Sequence, residues 1–126
     1  MSNKSDFLYP ELSHQILGAA FMVHSALGCG LPEFTYEAAL ELRFGELEIP
    51  CTRQERFDVF FHDTRVGHFV SDLVVDNLII LELKSDESIL PGHVSQLFTY
   101  LRVTGLRVGL LLNFGERSLQ FKRLIL

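Results

Sequence analysis

The amino-acid sequence predicts an α/β domain, a mixed central sheet flanked by helices. Three observations carry this. Apolar residues recur at helical spacing in two N-terminal segments, three runs with strand character follow, and a third helical segment precedes two more strands. The 126 residues fit one domain and leave little room for a second. No internal repeat, low-complexity tract or Pro/Ser-rich linker divides them, so the chain reads as an N-terminal arm over residues 1–11 and a single domain over 12–126.

The first helix follows from Leu12, Ile16, Ala20, Val23 and Leu27, and Gly28-Cys29-Gly30 closes it. Pro32 then stands where a first helical residue would, opening a helix to about residue 47. Its inward stripe reads Glu33, Tyr36, Glu37, Leu40, Phe44 and Leu47, which sets Glu33 on a face shared with apolar residues. Ile49-Pro50 breaks the pattern, and Phe57, Val59 and Phe61 alternate as a strand. Residues 68–75 and 78–84 form two more, joined at Asp76-Asn77. The run Leu78-Ile79-Ile80-Leu81 is continuously apolar, as expected for a central strand covered on both faces. Pro91-Gly92 opens a third helix, with Val94, Leu97, Phe98 and Leu101 apolar and Gly105 as its stop. Residues 108–113 read as another buried strand and 119–125 as an edge strand.

Composition excludes several classes. Hydrophobic residues make up 48% and charged residues 21%, so a buried core is expected rather than disorder. No apolar run approaches the ~20 residues a membrane span needs, and no signal-peptide pattern opens the chain. Two cysteines without C-x-x-C spacing suit a reduced, cytoplasmic protein with buried thiols better than a disulfide or zinc framework. A net charge of −5 argues against a general nucleic-acid binder, although the distribution is uneven. The stretch from residue 100 holds Arg102, Arg107, Arg117, Lys122 and Arg123 against Glu116 alone, which permits a locally basic face. No Walker loop, Rossmann fingerprint, Gly-x-Ser-x-Gly elbow or zinc spacing is present.

Chemistry concentrates on Glu82-Leu83-Lys84, at the end of the most apolar strand. Side chains two apart on a strand share a face, so Glu82 and Lys84 point the same way. They either pair with each other at the strand end or serve a site. Asp72 interrupts an apolar run on the preceding strand, either as a strand-end or turn-stabilising aspartate or as part of a site, since two carboxylates on adjacent strands repel unless a cation lies between them. Hard oxygen ligands with room for water suit Mg²⁺ or Mn²⁺, and a lysine beside them can hold an attacking water or a phosphate oxygen. Glu33 offers a further carboxylate, or favours the helix dipole from the first turn. On the third helix His93, Gln96 and Tyr100 share a face, either as its polar boundary or as a substrate-facing set. His24 suits a structural hydrogen bond, and His62 and His68 flank a hairpin turn at the surface.

The turn between the second and third strands decides whether Asp72 and Glu82 can meet. A two-residue turn at Asp76-Asn77 pairs Val75 with Leu78 and sets Asp72 opposite Leu81, turning Glu82 to the other face. A shared site requires an odd-length connection or a β-bulge.

With these residues in place the sequence resembles the GxxExxY proteins, small members of the PD-(D/E)XK superfamily. The naming motif stands as Gly30-Leu31-Pro32-Glu33-Phe34-Thr35-Tyr36, followed by Ser71-Asp72-Leu73-Val74-Val75 and Ile80-Leu81-Glu82-Leu83-Lys84. Gln96-Leu97-Phe98-Thr99-Tyr100-Leu101 and Val108-Gly109-Leu110-Leu111-Leu112-Asn113-Phe114-Gly115 match the later segment, so the blocks cover nearly the whole chain from about residue 12. The resemblance implies a restriction-endonuclease-like fold and a helix-borne acid at Glu33. It also implies a strand aspartate at Asp72, the Glu-x-Lys pair at Glu82 and Lys84, and a supporting glutamine at Gln96.

The leading expectation is therefore a Mg²⁺- or Mn²⁺-dependent nuclease hydrolysing phosphodiester bonds, in DNA, with a water nucleophile. Asp72 and Glu82 would hold metal, Glu33 would join directly or through water, and Lys84 would position the nucleophile. His93, Gln96 and Tyr100 would support substrate. The alternative is a catalytically inactive nucleic-acid-binding or protein-assembly module that keeps the fold, as a homodimer or with a partner chain. A sugar or cofactor enzyme using paired carboxylates fits Lys84 less well.

Overall fold

The computed structural model of the chain describes residues 8–126. Most of the expected N-terminal arm lies outside them. Three helices and five strands follow in the expected order: α1 Pro10–Leu27, α2 Glu33–Glu46, β1 Cys51–Phe61, β2 Thr64–Val75, β3 Ile79–Lys84, α3 Pro91–Thr104, β4 Val108–Asn113 and β5 Gln120–Ile125. The strands form one sheet in the order β1-β2-β3-β4-β5. Only β3 and β4 run parallel, because α3 returns the chain between them; the other neighbours are antiparallel.

Alternation along the strands sorts the core into two layers. Leu73, Val75, Ile79, Leu81, Leu83, Val108, Leu110 and Leu112 pack with Ile16, Ala20, Tyr36, Leu40 and Phe44 of α1 and α2. Val74, Ile80 and Leu111 pack with Leu97 and Leu101 of α3 on the opposite face. A strand buried from both sides carries a continuous apolar run, and β3 is buried from Ile79 to Leu83. The edge strand β1 leaves the sheet in a hairpin at His62-Asp63, whose positive φ values of 48° and 63° suit a two-residue turn.

Local features differ from the sequence reading, and β1 and β2 begin at Cys51 and Thr64, ahead of the expected Phe57 and His68. Pro32 is the N-cap of α2, with extended backbone, rather than its first helical residue. The α2 stripe buries Tyr36, Glu37, Leu40 and Phe44, but Glu33 and Leu47 are exposed. Glu33 is the first helical residue, where the chain is still entering the helix and no facing layer covers it. Cys29 is exposed and Cys51 half-buried, both free, so only one thiol is even partly shielded.

Candidate active site

The turn after β2 is of odd length. Val75 pairs with Ile79, Val74 with Ile80 and Leu73 with Leu81, which leaves residues 76–78 as the connection. Asp76 and Asn77 take positive φ, 52° and 55°, conformations in which Asn and Asp are among the tolerated residues. Extending this register by one residue sets Asp72 across from Glu82. The ladder stops there: the Leu83 amide donates to Asp72 Oδ2 at 2.8 Å, so the aspartate side chain replaces a strand carbonyl and fills the gap between β2 and β3.

Glu82 is 5% exposed, and its Oε1 has no hydrogen-bond partner. Burial, followed by the Asp72 charge and a hydrogen bond shared between the two carboxyls, pushes Glu82 up to about 9. Asp72 is raised as well: burial leads, the Leu83 amide opposes it, and the Glu37 charge adds to it. Neighbouring carboxyls with little water between them favour one shared proton over two carboxylates. Lys84 follows two residues along β3 and lowers both groups; it makes no ion pair among the described residues.

Around this pair the expected residues fall at different distances. Glu33 lines a cleft of about 680 Å³ together with Asp72, Glu37, Gln54 and Ser85, so it opens on the same side as Asp72 but from the rim. Tyr100 of α3 stacks on Phe69 with ring centroids 3.9 Å apart. Burial raises its hydroxyl, and the Glu82 and Asp72 charges add to this. Gln96 is exposed one turn earlier. His93 is engaged elsewhere: its Nδ1 accepts from the Leu90 amide at the start of α3, and its Nε2 lies 3.3 Å from Asp86. His24 bonds the Glu116 carbonyl through Nε2 at 2.8 Å, and His62 and His68 are exposed.

Neighbouring loops are tied down from beneath. Phe114 stacks on Tyr36 at 4.4 Å, while its amide donates to the Lys84 carbonyl. The Tyr36 hydroxyl donates to the Gly28 carbonyl and accepts from the Leu31 amide, fixing the segment that leads into Glu33. Fully buried Asn113 bonds the Asp86 amide and carbonyl, the Gly115 amide and Glu116.

One group at the site escaped the sequence reading. Arg53 Nε and Gln54 Nε2 both donate to buried Glu37 Oε1, at 2.7 and 2.8 Å. The sequence signal was available in Glu37, an acid on the buried stripe of α2, but nothing in spacing paired it with β1.

The carboxyl pair fits a hard divalent cation. Asp72 and Glu82 supply oxygen donors, one buried oxygen is unsatisfied, and a cation would relieve their repulsion. No cluster of three or more His, Cys, Asp or Glu among the described residues is poised as a fuller cage, and Mg²⁺ commonly completes its shell with water and substrate.

Comparison with known proteins agrees with this architecture. The family description that matches is the PD-(D/E)XK nuclease superfamily, over residues 10–124. Among solved structures the chain is similar to the crystal structure of SSO0001, with a TM-score of 0.57 and 16% identity over 74% of this chain. It spans 50% of that protein's length, and the likeness concerns the fold. No curated protein matches by sequence.

Proposed function

The chain belongs to the PD-(D/E)XK nuclease superfamily, and from that membership we propose that it is a metal-dependent nuclease hydrolysing phosphodiester bonds in DNA with a water nucleophile. One observation carries the proposal. Asp72 and Glu82 oppose each other at the point where the β2–β3 ladder opens, one buried oxygen of Glu82 lacks a partner, and Lys84 follows on the same strand.

Asp72 and Glu82 are the residues that would hold Mg²⁺ or Mn²⁺. A cation bound there would supply Lewis-acid stabilisation of phosphoryl charge and a more acidic water. The protein's own contributions are distinct. Asp72 is fixed by the Leu83 amide. Lys84, free of any ion pair among the described residues, can orient the attacking water or a non-bridging oxygen. Glu33 would act from the cleft rim through water. Tyr100, held flat against Phe69, can donate its hydroxyl toward the reacting group, with Gln96 supporting substrate beside it. His93 contributes by fixing the start of α3. The site sits in a single domain over residues 12–126, and free cysteines suit a cytoplasmic setting.

The test is incubation of wild type with single-stranded, double-stranded and branched DNA and Mg²⁺ or Mn²⁺, beside Glu82→Ala and Lys84→Ala. Metal-dependent cleavage lost in both variants supports the reading, and cleavage retained in both defeats it.

A second reading, an assembly module working as a homodimer or with a partner chain, draws support from α1 and α2. Met22 and Leu42, 51% and 68% exposed, line a groove between these helices. Metal titration separates the readings, because such a module has no need of Mn²⁺ at Asp72 and Glu82.

A further inference from the structure

Gln54 is the only residue with positive φ inside a strand among the described residues, at 55° in β1. Arg53 pairs with Leu73 and Glu55 with Ser71, so Gln54 stands unpaired across from Asp72. Left-handed backbone is unfavourable for a residue with a Cβ unless surrounding structure enforces it, and such positions gather at functional sites. The consequence is visible in the side chains. Adjacent strand residues normally point to opposite faces, yet Arg53 and Gln54 donate to the same oxygen of Glu37.

The cleft that Gln54 and Glu37 line is short of donors. Among its polar lining side chains, Glu33, Glu37 and Asp72 are carboxyls, and the Ser85 hydroxyl donates to the Leu31 carbonyl at 2.8 Å. Arg53 is turned to Glu37 and Glu41. The Gln54 amide nitrogen carries two hydrogens and gives one to Glu37. It is therefore the lining side chain with a donor hydrogen to spare, and Glu37 sets its orientation.

We propose that Gln54, oriented by Glu37, is a substrate-binding residue that donates its second amide hydrogen to a non-bridging phosphate oxygen of the nucleic acid. The assignment rests on the nuclease reading above. A neutral donor suits the position, since it binds an anion without adding a further ion beside Arg53 and the carboxyls. The strained backbone is the local cost of presenting it toward Asp72.

Binding is read by fluorescence anisotropy with labelled oligothymidine and a labelled duplex, in Mn²⁺, on the Lys84→Ala parent to block turnover. Adding Gln54→Met keeps the length of the side chain and removes the donor. It should weaken DNA binding roughly tenfold or more, as expected for a hydrogen bond to a charged group, and leave the Mn²⁺-induced rise in melting temperature unchanged. Gln54→Gly should weaken binding equally while melting no lower than the parent, because glycine accepts the positive φ freely. Undiminished affinity in Gln54→Met overturns the proposal, as does loss of the Mn²⁺ shift in that variant, which would tie Gln54 to the carboxyl pair instead. A parent that binds neither DNA, with or without a Mn²⁺ shift, removes the nuclease reading and this assignment with it.

Discussion

Asp72 and Glu82 stand across from each other in an antiparallel hairpin, one residue beyond the pair Leu73–Leu81, with Glu82 buried and Asp72 half-buried at the edge of the cleft. On the proposed reading that relationship ties stability to pH and to divalent metal, and both can be measured without knowing the substrate.

The pH dependence has a definite sign. Glu82 is raised from 4.5 to about 9 by folding, so its contribution to stability is fully present below about 4.5 and is lost as pH rises toward 9. In chelator the melting temperature should fall across this window, by an amount on the order of a few kcal/mol in unfolding free energy. Glu82→Gln should flatten the profile and melt above wild type at pH 8. A wild-type profile that rises over the same range contradicts the raised pKa.

Divalent metal should reverse the ranking. A ligand specific to the native state adds about 2.7 kcal/mol at a hundredfold excess over Kd, which for a domain of this size is roughly 3–7 °C. Wild type should show the shift with Mg²⁺ or Mn²⁺. Asp72→Asn, which keeps an oxygen for the Leu83 amide, should melt at or above wild type in chelator and largely lose the shift. Equal responses in both proteins would remove Asp72 from the ligand set.

The odd-length turn gives a third expectation. Asn77 has φ of 55°, so Asn77→Gly should be neutral or stabilising, whereas Asn77→Val should cost about 1–2 kcal/mol in urea denaturation. Equal stabilities for the two variants would mean the turn relaxes to another conformation.

Gly115 supplies a fourth. A Cβ there would lie 2.2 Å from the Asp86 carbonyl oxygen, in the loop that follows Lys84. Gly115→Ala should therefore cost about 1–3 kcal/mol and, on the proposed nuclease reading, lower turnover by displacing that loop. Wild-type stability would show that the loop yields freely.

Much of this was legible in the sequence. Helical spacing and Gly/Pro punctuation located α1 and α3 closely, and the apolar run around Ile80 marked the central strand. Asp72, Glu82 and Lys84 stood out because charges interrupt apolar strands only under constraint. The need for an odd connection followed from the two-residue period alone. What the sequence hid depends on backbone that no periodicity encodes. Gln54 takes left-handed φ inside an alternating strand, so Arg53 and Gln54 converge on Glu37 against the usual rule. Glu33 was placed on the buried stripe by spacing, yet it lies exposed at the helix end, on the cleft rim.

The hairpin that carries Asp72 and Glu82 closes through residues 76–78, so the two acids are near neighbours along the chain as well as in space. Short loops close early and cheaply in folding, before the α3 crossover can join β3 to β4. The two acids are consequently brought together ahead of most of the core that buries them and has to outweigh their repulsion. Acidity or divalent metal should then quicken refolding itself, as steeper gains in the folding rate than in the slowing of unfolding. The site should then act as a kinetic gate on its own formation, with the composition of the refolding buffer setting how quickly the native state is reached.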